Sequence, residues 1–538
     1  MSNSVSIFDT TLRDGTQGEG ISLTVDDKLK IALKLDQLGV QYIEGGWPGS
    51  NSKDIEFFHR ARELKLTNAK ISAFGSTRRK DISPENDHNL NRLVEAGVSV
   101  ASIFGKSWDF HVHTAIQTTL EENLAMIHDS VRYLKSKGME VIYLGEHFFD
   151  GYKNNPDYAL QTVKAAESAG ADWVVLCDTN GGSLPTEVSA IVAAVCASIQ
   201  APVGIHAHND CELGVANSIA AVQAGARQVQ GTINGFGERC GNANLCSVIP
   251  NLQLKLPYKC ISEEQLASLT TIARYVSEIA NVHMPVNQPF VGAAAFAHKG
   301  GIHVSAIMKH PKTYEHITPE LVGNKQRVLV SELAGQSNLM VKATELKLDL
   351  NKQSTKTRDI IEKIKELEHR GYQFEGADAS LELLLRRAFE DIKEAFTVES
   401  FKLLVEKSSG NAVNSEAIVK LKVHGESVYT AAEGNGPVNA LDNALRKALS
   451  PYYPDIKQFH LTDYKVRVLD EKDATAAKVR VLIETTDFNN TWSTVGVSEN
   501  VIEASWEALV DSIQYALIGK TYVCKSEESQ EQVGLVNH

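Results

Sequence analysis

Short apolar runs alternate with helix-period segments over roughly the first half of the chain. The runs have the length and the β-branched content of buried strands. In chain order they are VSIFDT, YIEGG, KISAFG, VASIFG, EVIYLGE, DWVVLCDT, PVGIHAHND and QVQGTING. The segments between them, such as DDKLKIALKLDQLG, repeat apolar residues as amphipathic helices do. Eight strand–helix units predict a (β/α)8 TIM barrel of the α/β class, in preference to an open doubly wound sheet.

The pattern of apolar positions changes twice after the eighth unit. Residues 1–275 are therefore assigned to the barrel, and the polar, helix-rich residues 276–392 to a connecting helical subdomain. Residues 393–526 contain three strands followed by a helix, and then the same succession again, which predicts an α+β domain of two βββα units. Residues 527–538 have the composition of a flexible tail. A chain of 538 residues is too long for one core, which agrees with several domains.

The composition narrows the class of protein. With 43% hydrophobic and 22% charged residues, and no apolar run of membrane-spanning length or N-terminal signal, we expect a cytoplasmic protein without a membrane partner. A formal net charge of −13 argues against nucleic acid as a partner. The seven cysteines form no CxxC pair, which argues against a disulfide framework and a cysteine zinc site.

Candidate chemistry gathers where three predicted strands end. His206 and His208 stand two positions apart at the end of strand seven, so both side chains face the same way. Strand one runs into Arg13 and Asp14, and strand eight runs into the loop that holds Asn242. Barrel closure makes strands seven, eight and one neighbours, so a carboxylate, two imidazoles and a carboxamide can meet at one cation. Mixed N and O ligands suit Mn²⁺, Co²⁺, Zn²⁺ or Mg²⁺ alike, whereas an isolated HxH would more simply be a polar rim pair.

Three motifs carry a family resemblance: RDGTQ, HAHND and GERCGN, in that order. Together they resemble the metal-dependent barrel family of isopropylmalate, homocitrate and citramalate synthases, which also includes hydroxymethylglutaryl-CoA lyase. HKGGIHVSA and TYEHITPELVGN resemble the synthases' connecting subdomain, and EGNGPVNA and STVGVSENVIEAS resemble their amino-acid-sensing domain. Lyases lack that last domain, so the resemblance favours a synthase over a lyase or a non-catalytic amino-acid sensor.

The resemblance implies a role for each candidate residue. Asp14, His206 and His208 would bind a divalent metal ion, with Asn242 at or near it. The remaining residues would act on the substrates, acetyl-CoA and a 2-oxo acid: Arg13 on the ketone oxygen, Glu146 in orienting or deprotonating acetyl-CoA, Thr179 on the carboxylate, and His303 with Tyr314 in acid–base steps. Simpler interpretations stay open, since Glu146 could be a rim residue that orients ligands and His303 could make a structural hydrogen bond.

The identities of the 2-oxo acid and of the effector are likewise expectations. Phe104 and Tyr143, with Trp108 nearby, would fill the space of a branched substrate, which favours pyruvate and hence citramalate, on a threonine-independent route to isoleucine. The alternatives are that these aromatics only pack between barrel and helices, and that the substrate is 2-oxoisovalerate, as in isopropylmalate synthases. The C-terminal domain implies a homodimer and a branched-chain amino-acid effector, isoleucine for this product. Its expected contacts are Gly434, Gly436, Pro437, Val495, Gly496 and Ser498.

Overall fold

The computed structural model describes residues 3–329, 355–390, 392–407, 413–469, 477–487 and 490–534. The chain forms two compact units, one of residues 1–296 with 316–326 and one of residues 297–315 with 327–538. The expected boundaries after residues 275, 392 and 526 stay a prediction. Residues 330–354 and 391 of the expected connecting subdomain, and residues 535–538 of the expected tail, lie outside the described residues.

The first unit contains a closed barrel of eight parallel strands, which confirms the predicted fold. Strand β1 pairs with β2 on one side and with β8 on the other, where Ile7 lies opposite Val229. The strands are β1 (Ser6–Asp9), β2 (Tyr42–Gly46), β3 (Lys70–Ser76), β4 (Val100–Lys106), β5 (Glu140–Glu146), β6 (Trp173–Asp178), β7 (Val203–Ala207) and β8 (Gln228–Gly231).

Helices surround this barrel and follow its strands. They are α1 (Val25–Leu38), α2 (Ser52–Ala61), α3 (His88–Glu95), α4 (Asp109–Thr114), α5 (Leu120–Ser136), α6 (Phe148–Asn154), α7 (Pro156–Ser168), α8 (Pro185–Ser198), α9 (Gly214–Gln223), α10 (Leu245–Pro250), α11 (Glu263–Leu266) and α12 (Leu269–Ile279). Helix α1 shows how the sequence sets their limits. Thr24 and Asp27 form a reciprocal capping box at its start, and Gly39 ends it with a φ of 88°.

Alternation along each strand divides the barrel residues between two cores. Side chains such as Ile7 and Tyr143 point outward and pack against the helices. Phe8, Ile142 and Leu144 point inward and fill the barrel. Because the interior is packed, a cavity forms only beyond the strand ends, at the barrel's carboxyl end.

The second unit begins with a short parallel pair and three helices: β9 (Ala297–His298), β10 (Arg327–Val328), α13 (Gly301–Ile307), α14 (Thr355–His369) and α15 (Asp378–Phe389). The two predicted βββα units follow, each with an antiparallel three-stranded sheet, and both are confirmed. Their elements are β11 (Phe396–Lys407), β12 (Val413–Val423), β13 (Glu426–Gly434), α16 (Pro437–Leu449), β14 (His460–Val468), β15 (Val479–Thr486), β16 (Thr491–Ser498) and α17 (Val501–Gly534). Val419 and Leu441 of the first repeat share a core with Trp506 of the second, so the repeats pack together.

Helix α17 extends into the residues that were expected to form the tail. It continues to Gly534, past the expected boundary at residue 526. Its last turns contain lysine, glutamate and glutamine, which favour a helix, and no glycine or proline interrupts them before Gly534. Among the described residues, no helix is both long enough and apolar enough to cross a membrane.

Candidate active site

A cavity of about 230 Å³ opens at the carboxyl end of the barrel. Most of the polar residues expected from the sequence line it, together with several apolar side chains. The lining residues are Arg13, Asp14, Gln17, Trp47, Phe74, Phe104, Leu144, Glu146, Cys177, Thr179, His206, His208, Glu238 and Arg239. The strand ends therefore bring residues from across the chain to one site.

Asp14, His206 and His208 form a buried cluster in this cavity. Their potential ligand atoms all lie within 4.8 Å of one another. The Nε2 atom of His206 is 3.1 Å from Asp14 Oδ2, and the Nε2 atom of His208 is 4.0 Å from the same oxygen. Two nitrogens and a carboxylate oxygen thus converge, which is the donor set of a transition-metal or Mg²⁺ site.

Neighbouring groups complete the fit to a cation. The Nδ1 atom of His206 lies 3.1 Å from Gln230 Oε1, which leaves Nε2 directed at the cluster. Asn242 forms a backbone bridge with His208, and its Nδ2 donates to the carbonyl of Phe236 at 3.2 Å. Within the described part of the chain, the buried Oδ1 of Asn242 accepts no hydrogen bond. A buried acceptor without a donor is costly, and a cation beside the cluster would satisfy it.

The electrostatics favour the ligand forms of these side chains. Burial alone would raise the pKa of Asp14, but Arg13 and the two histidines outweigh it and hold that pKa well below its usual range. Burial, helped by His206, lowers the pKa of His208 to about 3. At neutral pH Asp14 is therefore a carboxylate and His208 a neutral imidazole, as metal ligation requires.

Arg13 lies beside the cluster and is held on several sides. Its Nη1 atom is 3.5 Å from Asp14 Oδ1, and its Nε donates to Glu44 Oε2 at 2.6 Å. The guanidinium carbon lies 3.8 Å from the centre of the Phe74 ring. Although burial disfavours its charge, Asp14 and Glu44 raise the pKa of Arg13, so a fixed cation faces the cavity.

Glu146 is the last residue of β5 and Thr179 is the first residue after β6, and both line the same cavity. Glu146 forms an ion pair with Lys106. The Thr179 hydroxyl oxygen accepts a hydrogen bond from the backbone N–H of His147 at 2.9 Å, which leaves its own proton free to be donated. Arg239 pairs with Asp210 at 2.8 Å and donates to the Thr179 carbonyl, so it ties the GERCGN loop to strand β6.

Of the aromatic residues expected at the mouth, Phe104 lines the cavity, whereas Tyr143 does not. The assignment of Tyr143 to the substrate site is wrong, because that side chain is fully buried on the outward face of β5. Leu144, the next residue, occupies the cavity wall in its place. Trp108 stacks on His111 at a centroid distance of 5.0 Å and is not a lining residue.

Several lining or supporting residues were not predicted from the sequence: Gln17, Glu44, Trp47, Phe74, Leu144, Cys177 and Gln230. The apolar members resemble ordinary core residues in the sequence. Glu44 and Gln230 did carry a signal, since each is a polar residue inside an otherwise buried strand. Neither sequence position reveals the partner, which lies on another strand.

His303 and Tyr314 belong to the second unit. Their rings stack with a centroid distance of 4.2 Å and an interplanar angle of 28°. Tyr314 is 47% exposed, so the pair is accessible from solvent within that unit. The two residues expected to act together are therefore in contact.

The expected effector contacts lie at the end of β13, at the start of α16 and in the last part of β16. Gly436 and Pro437 stand at the N-cap and first turn of α16, and Ser498 ends β16, where its hydroxyl donates to Glu503 at 2.7 Å. The side chain of Val495 is buried in a core with α14 and α15, so its assignment as an effector contact stays a prediction that rests on its backbone. The glycines Gly434 and Gly496 let the backbone of the following helix approach closely, as an added Cβ would lie 2.4 Å from Ala440 N and 2.0 Å from Ala504 O respectively.

Comparison with known proteins agrees with this architecture. Residues 4–276 match the HMGL-like family, residues 290–372 match the homocitrate synthase post-HMGL domain-like family, and residues 375–517 match the LeuA allosteric (dimerisation) domain. The barrel with its aspartate–histidine cluster is thus of the HMGL-like class.

Full-length relatives narrow the class. The chain is 57% identical over 514 residues to an (R)-citramalate synthase of Geobacter sulfurreducens, and the aligned residues cover 95% of this chain and 97% of that protein. An (R)-citramalate synthase of Aquifex aeolicus is 56% identical over 520 residues, covering 96% of this chain and 98% of that protein. A 2-isopropylmalate synthase of Methanocaldococcus jannaschii is 33% identical over 516 residues, covering 95% of each. The chain belongs to the (R)-citramalate synthase family.

Proposed function

We propose that the protein condenses acetyl-CoA with pyruvate and water to give (R)-citramalate and CoA. It is an acyltransferase that converts the acetyl group of acetyl-CoA into an alkyl group during the transfer. The observation that carries the proposal is the buried Asp14–His206–His208 cluster beside Arg13, in a chain 57% identical to an (R)-citramalate synthase. The lower identity of 33% to a 2-isopropylmalate synthase favours pyruvate over 2-oxoisovalerate.

Asp14, His206 and His208 would hold a divalent cation, with Asn242 supplying a further oxygen. The donor set accommodates Mn²⁺, Mg²⁺, Co²⁺ or Zn²⁺. When bound, such an ion supplies Lewis-acid chemistry to a 2-oxo acid whose ketone and carboxylate reach it. The neutral imidazole of His208 and the ionised carboxylate of Asp14 agree with this role.

The other cavity residues act on the substrates directly. Arg13 stabilises the negative charge that develops on the pyruvate ketone oxygen, because its guanidinium is fixed and buried nearby. Thr179 donates a hydrogen bond from its hydroxyl group to the pyruvate carboxylate. Glu146 takes a proton from the methyl group of acetyl-CoA, and the resulting carbon forms the new bond to the ketone carbon as the ketone double bond opens. The ketone oxygen then takes up one proton to become the tertiary hydroxyl, and Glu146 returns to its carboxylate form.

His303 and Tyr314 serve the last step. Water adds to the thioester carbonyl, the carbon–sulfur bond breaks, and the thiol of CoA leaves with a proton. The stacked pair supplies an imidazole and a phenol, which are suited to activating the water and protonating the leaving group. Replacement of His303 by alanine should reduce thiol release without changing metal content.

We also propose feedback by isoleucine and a homodimer, both through the C-terminal domain. The match of residues 375–517 to the LeuA allosteric (dimerisation) domain supports this. Gly436, beside which an added Cβ would meet no atom within 4 Å, provides a test position. Gly436→Val should weaken isoleucine inhibition and leave activity without isoleucine unchanged; unchanged inhibition would argue against this contact. Light scattering should give twice the chain mass.

The experiment that tests the reaction is thiol release from acetyl-CoA by the Mn²⁺-supplied protein. Pyruvate, 2-oxobutyrate and 2-oxoisovalerate are compared with a sample lacking acceptor, and pyruvate should give the highest kcat/KM. His208→Ala should abolish turnover, whereas His113→Ala, a change of an exposed histidine on α4, should not. Highest kcat/KM with 2-oxoisovalerate would replace the proposed substrate while keeping the site.

A further inference from the structure

The cavity lining combines polar and apolar side chains. The polar residues include the aspartate–histidine cluster, Glu146 and Thr179. Four large apolar residues lie in or just after successive strands β2 to β5, and we call them the apolar wall: Trp47, Phe74, Phe104 and Leu144. When the polar residues bind the carboxylate and ketone of a 2-oxo acid, contact with the apolar wall is the favourable environment for its alkyl group.

Trp47 closes the apolar wall at one end. Its ring meets Phe74 edge-on at a centroid distance of 5.4 Å and Phe104 edge-on at 5.8 Å, both with an interplanar angle of 84°. Phe74 and Phe104 stack on each other at 5.5 Å. Edge-to-face contacts of this kind are favourable, so the indole has a preferred orientation against the other two rings.

Hydrogen bonds fix both ends of Trp47. The indole Nε1 donates to Asn89 Oδ1 at 2.7 Å, and Asn89 Nδ2 donates to the carbonyl of Ser76 at 2.8 Å. The Trp47 backbone N–H donates to Asp54 Oδ2 at 2.9 Å. Asp54 is itself buried and paired with Lys28 at 2.5 Å. An indole held by its backbone and by its N–H cannot move aside cheaply for a larger substrate.

The residue before Trp47 permits this arrangement. Gly46 has a φ of 150°, and an added Cβ would lie 2.4 Å from the carboxyl carbon of Asp54. Glycine is therefore required for the chain to pass Asp54 and deliver Trp47 to the cavity.

We propose that Trp47, held by Asn89, is a specificity-determining residue that limits the alkyl group of the 2-oxo acid to the size of a methyl. This inference rests on the proposed function. One additional methylene is ordinarily discriminated only ~10–200-fold by an apolar pocket. A rigid ring at the end of the pocket prevents the pocket from expanding, so the discrimination stays near the largest value of that range.

The test compares the wild type with Trp47→Leu. For each, kcat/KM is measured with 2-oxoisovalerate, 2-oxobutyrate and pyruvate, and calorimetry gives the Kd of the Mn²⁺-supplied protein for the same acids. The ratio of kcat/KM for 2-oxoisovalerate over that for pyruvate should rise about tenfold or more in Trp47→Leu. The ratio of the affinities should move in the same direction. Trp108→Leu, which changes a half-buried tryptophan outside the cavity lining, should leave both ratios unchanged.

A second variant tests the positioning role of Asn89. Asn89→Leu removes the acceptor of the indole N–H but leaves Trp47 in place, so the same ratio should rise by a smaller factor. Should Trp47→Leu fail to fold, Trp47→Phe keeps an aromatic ring of smaller size and gives the same reading.

Unchanged ratios in folded Trp47 variants would overturn the inference and leave the proposed function intact. Failure of the proposed function has a different signature, since the wild type would then release no thiol with any acceptor or would itself prefer 2-oxoisovalerate over pyruvate. The calorimetric ratios would still test the role of Trp47 in that case.

Discussion

The Nε atom of Arg13 donates a 2.6 Å hydrogen bond to a Glu44 carboxylate that has no solvent exposure. The other carboxylate oxygen of Glu44 accepts a hydrogen bond from the Ser102 hydroxyl, also at 2.6 Å. With Phe74 against one face of the guanidinium, Arg13 is restrained in direction and in plane. Its charge is thereby aimed into the cavity before any substrate arrives, which is the arrangement that stabilises developing negative charge most effectively.

The first prediction concerns this pair. Glu44→Gln keeps the shape of the side chain but removes the charge that orients Arg13. We expect kcat/KM for pyruvate to fall about 10- to 100-fold, since a small displacement of a positioning group has effects of that order. Steady-state kinetics check the loss, with metal content measured in parallel. Glu140→Gln is the matched control, because Glu140 begins strand β5 and pairs with Lys70. An equal loss in both variants would contradict the special role of Glu44.

The parts of this molecule that could be predicted from sequence depend on local periodicity. The barrel follows from eight apolar runs separated by helix-period segments, and the shared direction of His206 and His208 follows from the two-residue period of a strand. The identity of the HMGL-like class depended on three motifs whose residues all lie at the carboxyl end of the barrel. Those features need no knowledge of distant contacts.

The residues that were misplaced or missed in the sequence analysis have surroundings that the local sequence does not determine. Tyr143 was assigned to the cavity because it is near the end of β5, although its position relative to Glu146 puts it on the opposite face. Val495 lies in a glycine-containing strand end, but its burial depends on α14 and α15, more than a hundred residues earlier. Glu44 and Gln230 could be noticed as polar residues in buried strands, but their partners are determined by barrel closure.

A second prediction concerns Gln230. Its Oε1 lies 3.1 Å from His206 Nδ1, so it orients the imidazole whose Nε2 faces Asp14. Gln230→Leu should reduce Mn²⁺ affinity about 10- to 100-fold, the usual effect of losing such a partner. Titration of the metal-free protein followed by calorimetry measures this. His111→Gln, a histidine change outside the cavity lining, serves as control and should leave affinity unchanged. Unaltered affinity in Gln230→Leu would mean that His206 is oriented by other contacts.

A third prediction uses two glycines of the C-terminal domain. An added Cβ at Gly496 would lie 2.0 Å from the carbonyl oxygen of Ala504, so Gly496→Ala must displace helix α17. We expect a loss of about 1–3 kcal/mol in the stability of this domain, as for other overpacked sites. Gly436→Ala is the control, since an added Cβ there meets nothing within 4 Å and the φ of −169° is accessible to any residue. Scanning calorimetry should show a lowered transition in Gly496→Ala only; equal midpoints would mean that α17 adjusts freely.

The last prediction is the pH dependence that Asp9 imposes on the barrel. Asp9 is completely buried, and this burial raises its pKa from the ordinary value of 3.8 to about 7, although hydrogen bonds from Thr11 oppose the shift. The folded state therefore keeps a proton on Asp9 that the unfolded state has released.

The sign of the effect follows from that difference. Protonated Asp9 contributes its full stabilisation below the pKa that it has in the unfolded state. This contribution is lost as the pH rises through its pKa in the folded state, at up to about 1.4 kcal/mol per pH unit. The side chain in Asp9→Asn is neutral at every pH, so this variant does not lose stability in the same way as the pH rises. Its thermal midpoint relative to wild type should rise between about pH 4 and about pH 7 and stay constant above that range. All other titrating groups are common to the two proteins and cancel in the difference, so calorimetry at several pH values isolates Asp9. A difference in midpoint that stays constant over this range would mean that Asp9 is ionised in the folded barrel despite its burial.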